Sequence, residues 1–187
     1  MVKYIPETNG GVGMKNEYLE AGEVVSAHGV RGGLKIKHYC DRATVLSKQK
    51  TVYIRTEEGY LPREVLSASA ADSLVIMCIE GITTREAAIA KRGMKIYLHR
   101  DSIPLKKGDM FIADMIGLAV TDARSGACYG KLEDVSDVAG RRIYTVLTDK
   151  GERVLLPDVP EFIKEISPEG GMRITPISGF FDEADEV

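Results

Sequence analysis

The stretch Gly22-Glu23-Val24-Val25-Ser26-Ala27-His28-Gly29-Val30-Arg31-Gly32-Gly33-Leu34-Lys35-Ile36-Lys37 sets two apolar runs on either side of a short, glycine-rich, cationic connection. It reads as strand, loop, strand. Gly29, Gly32 and Gly33 permit positive φ or close backbone approach, and His28 and Arg31 are left on a loop too short to bury them. After the loop, Leu34 and Ile36 alternate with Lys35 and Lys37, so one strand face is apolar and the other basic. Two readings of the loop stand side by side. Its glycines serve only a hairpin turn with solvated side chains, or His28, Gly29, Arg31 and Gly32, backed by Lys35 and Lys37, meet phosphates or the surface of a macromolecular partner.

Outward from this hairpin the pattern stays β. Thr51 to Arg55 and Gly59 to Leu66 read as strands, Ala70-Ala71-Asp72 as a turn, and the nearly continuous apolar run from Ser73 to Glu80 as a central strand of a closed or covered sheet. One helix is expected from Thr83, with Glu86 at capping-box spacing and Gly93 as its C-terminal stop. Met94 to Leu98 supplies a last strand. Six short strands and one helix predict a small antiparallel barrel over residues 19–100. Residues 1–18, with Gly10-Gly11-Val12-Gly13 and no periodicity, read as a flexible leader, and residues 101–109 as a linker.

The second half carries turn signals at nearly even spacing, Ala123 to Gly126, Gly140-Arg141-Arg142 and Lys150-Gly151-Glu152, followed by Gly170-Gly171. They separate strands at Ile116 to Val120, Tyr129 to Val138, Ile143 to Thr148, Arg153 to Leu156 and Met172 to Ile177. Val159 to Ile163 reads as a single helical turn. A second small β-barrel over residues 110–180, with an acidic tail at 181–187, is the expectation. Met110 and Phe111 open it, either as an exposed partner anchor or as the first core residues of that barrel.

Composition narrows the function class. The chain has 187 residues, 44% hydrophobic and 28% charged, and no apolar run approaches the roughly 18 residues of a membrane span. Membrane association is not expected. Cys40, Cys78 and Cys128 are odd in number and widely spaced, which suits a reducing cytoplasm. The net charge of -3 hides an asymmetry: thirteen cations against nine anions give +4 for residues 19–100, and ten against seventeen give -7 for residues 101–187. The halves therefore suggest an anionic and a cationic partner.

No phosphate-binding glycine loop, dinucleotide fingerprint or nucleophile elbow occurs, and the three histidines and three cysteines lack metal-ligand spacing. Glu133 and Asp134 sit next to each other on an expected strand, on opposite faces, which does not build a two-carboxylate site. Neither catalysis nor a cofactor is expected.

The chain resembles the bacterial ribosome maturation factor RimM family, also called 16S ribosomal RNA processing proteins. The resemblance runs from about Tyr18 to Phe180. It rests on Ala27-His28-Gly29-Val30-Arg31-Gly32-Gly33-Leu34-Lys35, on Arg85-Glu86-Ala87-Ala88 through Arg92-Gly93, on Asp114-Met115-Ile116-Gly117-Leu118-Ala119-Val120 with Gly130-Lys131-Leu132-Glu133-Asp134-Val135, and on Leu155-Leu156-Pro157 with Val159 to Ile166. It implies a translation-factor-like N-terminal barrel joined to a PRC-barrel. It also implies a non-enzymatic, monomeric factor that binds the immature small (30S) subunit through ribosomal protein number nineteen of the head and assists 16S rRNA folding and processing. Where many family members carry an aromatic pair implicated in ribosome binding, this chain has Met110-Phe111. Two other classes remain open on the residues alone: a small-ligand-binding or electron-transfer-related barrel, and a stand-alone RNA-binding barrel.

Overall fold

The computed structural model describes residues 16–71, 73–105, 109–177 and 180–181. The chain forms two compact units that part between Ala113 and Asp114.

The first unit is a closed six-stranded antiparallel barrel. Its strands are β1 (Tyr18–His28), β2 (Gly33–His38), β3 (Thr51–Thr56), β4 (Gly59–Ala71), β5 (Leu74–Ile79) and β6 (Lys95–His99), in the order β1-β2-β5-β4-β3-β6, with β6 returning to β1. β1 can pair on both sides because two bulges bend it, one between Glu20 and Gly22 against β6 and one between Val24 and Ser26 against β2. The first bulge also shifts the alternation, so Leu19 and Ala21 face the interior and then Val24 does. Gly22 sits where a Cβ would press on Lys37 O and the Ile36 side chain, so the bend needs glycine. Leu34, Ile36, Val52, Val75, Met77, Ile79, Ile96 and Leu98 complete the fully buried core.

The expected barrel is present, with differences of detail. Of the two settings expected for the apolar run, a closed sheet or a covered one, β5 has the first: Val75, Met77 and Ile79 are buried in the closed barrel while Leu74, Ile76 and Cys78 keep solvent contact. The expected turn at Ala70-Ala71 is the end of β4, whose register shift between Val65 and Ser67 lets it serve β3 with one half and β5 with the other. Asp72 lies outside the described residues. The helix from Thr83 is instead α2 (Arg85–Ile89), capped by Thr84, whose hydroxyl accepts from the Ala87 amide at 3.2 Å. The better-placed threonine is the one whose extended backbone points its side chain at the first turn. A further short helix, α1 (Ala43–Ser47), forms in the polar segment between β2 and β3, because Ala43 and Leu46 fall on one face and bury there.

The second unit holds β7 (Ala119–Asp122), β8 (Cys128–Val138), β9 (Arg141–Leu147), β10 (Arg153–Pro157), β11 (Ile163–Ser167) and β12 (Gly171–Ile174), after the single turn α3 (Ile112–Met115) at the boundary. The sheet order is β10-β9-β8-β7-β12-β11. The meander β7 to β10 is antiparallel, and β12 returns parallel to β7. Val120, Leu132, Val135, Tyr144, Val146, Leu156, Met172 and Ile174 are buried. Arg141 and Arg142 belong to β9, not to the turn, which tightens to Ala139-Gly140, both at positive φ. The single helical turn expected at Val159 to Ile163 is present: the Phe162 and Ile163 amides both donate to the Val159 carbonyl, at 3.0 and 2.9 Å.

Two details of this unit follow from local chemistry. Asp122 closes the β7–β8 hairpin, with Oδ1 accepting from the Arg124 and Ser125 amides at 2.8 and 2.7 Å and Oδ2 from the Tyr129 hydroxyl at 2.9 Å. These three donors hold its carboxyl down to about 2. In β8, a bulge between Leu132 and Asp134 takes up one residue, so Leu132 and Val135 are both buried and neither Glu133 nor Asp134 faces the core. Glu133 instead accepts two hydrogen bonds from Arg153 on β10, at 2.6 and 2.8 Å.

Candidate functional site

The loop between β1 and β2 begins with the His28–Gly33 pair and projects His28, Gly29, Val30 and Arg31 into solvent. Val30, at its apex, is 76% exposed. The loop is nevertheless held. Gly32 (φ 75°) lies against the Ile82 carbonyl and the Thr83 amide, where a Cβ would collide with backbone. Gly29 (φ 65°) has open space around it and is needed only for its left-handed conformation. From the start of α2, the Arg85 guanidinium donates to the Gly29 carbonyl at 3.3 Å. A cationic tip is thus fixed at its base by packing on the segment before α2 and braced by a second cation.

The structure separates the site residues expected from sequence into two sets. His28, Gly29 and Arg31 are exposed together on the loop, with Gly32 buried beneath them as the pivot. Lys35 and Lys37 lie down β2, opposite Ser26 and Glu23, so they extend the basic face away from the tip instead of crowding it. Met110 and Phe111 are elsewhere. They are 9% and 3% exposed, and Phe111 packs into the core of the first unit, with the Arg100 guanidinium 5.0 Å from its ring centre. The reading of Phe111 as the first core residue of the second barrel is therefore corrected: it is a late core residue of the first. Sequence reasoning misses Arg85, Val30 and the exposed Ile89 of α2, which share this end of the barrel; only the proximity of α2 to β1 and β2 reveals them.

Such an arrangement presents a cation and exposed backbone for recognition. Among the described residues no three His, Cys, Asp or Glu side chains stand close enough to hold a metal ion. Cys40 is buried and its thiol is pushed up to about 12 by that burial, which leaves it inert as a nucleophile. No helix among the described residues is long and apolar enough to cross a membrane.

Comparison with known proteins agrees with the motifs. Residues 19–103 match the family model described as the RimM N-terminal domain. A ribosome maturation factor RimM of Clostridium botulinum (strain Hall) is 33% identical over 155 residues, covering 82% of this chain and 90% of the relative. The RimM of Lawsonia intracellularis is 26% identical and covers 90% and 98%. A crystal structure titled as a 16S ribosomal RNA processing protein RimM from Pseudomonas aeruginosa covers 87% of this chain at 20% identity and a TM-score of 0.42, a likeness too loose to carry weight. On the extent and identity of the sequence matches, the chain belongs to the RimM family of ribosome maturation factors.

Proposed function

We propose that this protein is a non-enzymatic assembly factor of the cytoplasm that binds the immature small ribosomal subunit as a single copy and assists folding and processing of its 16S rRNA. The observation that carries the reading is the braced, exposed cationic loop of His28, Gly29 and Arg31 on a chain that runs nearly the full length of relatives named ribosome maturation factors. A loop held by Gly32 and Arg85 loses little conformational entropy on docking, which favours contact. Arg31 and His28 meet RNA phosphates or the particle's protein surface, and Lys35 and Lys37 supply longer-range attraction. The acidic second unit suits a basic ribosomal protein, protein number nineteen of the subunit head in this reading. Buried Met110 and Phe111 act here as core, not as contact.

The direct test is co-sedimentation of the purified chain with immature small subunits. Binding at low salt is expected, with a salt dependence that becomes shallower when Arg31 and His28 are changed to alanine, by about 0.7 to 0.9 in log–log slope for each phosphate that is no longer neutralised. Failure of the unaltered chain to co-sediment at low salt sinks the proposal.

A further inference from the structure

The outside of the first barrel carries a feature that the loop does not account for. Four of the chain's eight tyrosines converge there from four strands: Tyr18 on β1, Tyr53 on β3, Tyr60 on β4 and Tyr97 on β6, with His99 at the rim. Tyr18, Tyr53 and Tyr97 share the outer face because their neighbours Leu19, Val52, Ile96 and Leu98 fill the interior, and Tyr60 joins them through its ring contacts with Tyr18 and Tyr97. Tyr18 and Tyr60 stack, ring centres 4.2 Å apart and planes at 15°. Tyr53 and His99 pack edge-on against Tyr18 at 4.8 and 5.4 Å, and Tyr97 against Tyr60 at 5.0 Å. Tyr97 is buried beneath, whereas Tyr18, Tyr53 and Tyr60 each keep part of their surface in solvent.

The polar groups within this face are as informative as the rings. Glu20, opposite Tyr97 in the register, is 3% exposed and pairs through Oε2 with Lys95 at 3.1 Å, while its Oε1 has no hydrogen-bond partner. A carboxylate oxygen withheld from water without a donor is costly and marks a place where an incoming N–H would be welcome. Arg55 stands opposite Tyr60 on the same face and is exposed. Glu57 and Glu58 lie past it on the β3–β4 turn and set one edge of the face. The residues of this unit carry +4 overall, and the one buried carboxylate of the face is already occupied by Lys95. Both facts favour an anionic chain with flat, amino-bearing rings over a cationic peptide.

We propose that this tyrosine face is a stacking platform for unpaired bases of single-stranded RNA, with Lys95 and Arg55 beside the backbone and Glu20 Oε1 accepting from a base amino group. The inference rests on the ribosomal reading above for its source of RNA, but not on the loop. Such a platform is sequence-tolerant, because each base offers a π face, and it excludes duplex RNA, whose bases are already stacked on one another.

The test uses the full chain and a fluorescein-labelled RNA of about twelve nucleotides without self-complementarity, with a duplex of equal length and an arginine-rich peptide as competitors. Single-stranded RNA should bind in preference to duplex, and Tyr60→Leu should weaken it about 5- to 140-fold, one stacked base's worth, while Tyr60→Phe retains binding. Should Tyr60→Leu fail to fold, proton NMR of the unaltered protein still decides: the ring signals of Tyr18 and Tyr60 move upfield on saturation with the oligonucleotide, and those of Tyr129 in the second unit do not. Unmoved rings, undiminished binding by folded Tyr60→Leu, preference for duplex, or capture of the peptide by this face in place of RNA would each overturn the platform. If the chain co-sediments with immature subunits yet Tyr60→Leu binds the oligonucleotide unchanged, the platform fails and the assembly reading stands. The reverse pattern removes the assembly reading and leaves the platform.

Discussion

The two units solve the same problem, a small sheet with one face to bury, in opposite ways. The first returns β6 to β1 and closes, so its strand edges are consumed and its interior is mainly aliphatic, with Phe111 packed into the same core. The second runs β10-β9-β8-β7-β12-β11 and ends on two edge strands, with a buried Tyr144 in its core. Closure frees the first unit's exterior for contact: it carries a braced cationic loop and a tyrosine face, and its residues sum to +4. The second unit's exterior is carboxylate-rich, and several of its acids work locally, Asp122 on its own hairpin and Glu133 on Arg153. Charge sign and architecture therefore divide together along this chain, and the division can be challenged at defined points.

The largest effect is expected at Phe111. If it is a core residue of the first unit, Phe111→Ala costs about 3–5 kcal/mol of that unit's stability and leaves the second unit's transition in place. Chemical denaturation followed by methyl signals of each unit separates the two. Selective loss of the second unit would reverse the assignment.

A middle-sized effect separates two glycines of one loop. Gly29→Ala should cost about 1–2 kcal/mol, the strain of a left-handed alanine with nothing in its way. Gly32→Ala carries that same strain plus a collision with the Ile82 backbone, so it should cost more and also tear the loop off its seat. Binding to immature subunits should then fall much further for Gly32→Ala than for Gly29→Ala. Equal losses would mean that the seat beneath the loop is irrelevant to docking.

These positions also show how far the sequence could be read. The barrel of the first unit was legible because Leu34/Ile36 and Lys35/Lys37 alternate cleanly and the loop glycines punctuate them. α1 was not, since its burial depends on two residues, Ala43 and Leu46, meeting a barrel that exists only after long-range closure. The capping residue was misplaced by one, because Thr83 and Thr84 offer the same hydroxyl and only backbone geometry chooses. The bulges in β1 and β8 are invisible to period-two counting, yet they decide which residues face inward. Of the candidate site, the loop was readable as composition, but Arg85 and the tyrosine face were not. Their members are scattered from Tyr18 to His99 and meet only through the strand order.

The smallest effects concern pH, where the two units should diverge in sign. In the first unit, burial pushes the Cys40 thiol up to about 12, and burial together with Glu23 pushes Tyr39 to about 12; burial raises Tyr97, and the bond to Glu20 raises Lys95. Each of these groups holds its proton longer folded than unfolded, so the stability it contributes is complete below about pH 9 and is lost as pH climbs toward 12. In the second unit Asp122 is held down to about 2 by its three donors and Glu133 is lowered by Arg153, so their contribution is complete above about pH 4.5 and is lost as pH falls toward 2. Tyr144, raised by burial, gives the second unit an alkaline limb of its own, which makes the acid side the cleaner discriminator. Urea titrations at pH 7 and pH 3, read by signals from each unit, should show the second unit's midpoint falling more than the first's. The shift should be modest, because Asp122 and Glu133 are solvent-screened, and Asp122→Asn should flatten it. If both midpoints fall in parallel at pH 3, the acid sensitivity comes from net charge on the whole chain and not from the hairpin that Asp122 closes.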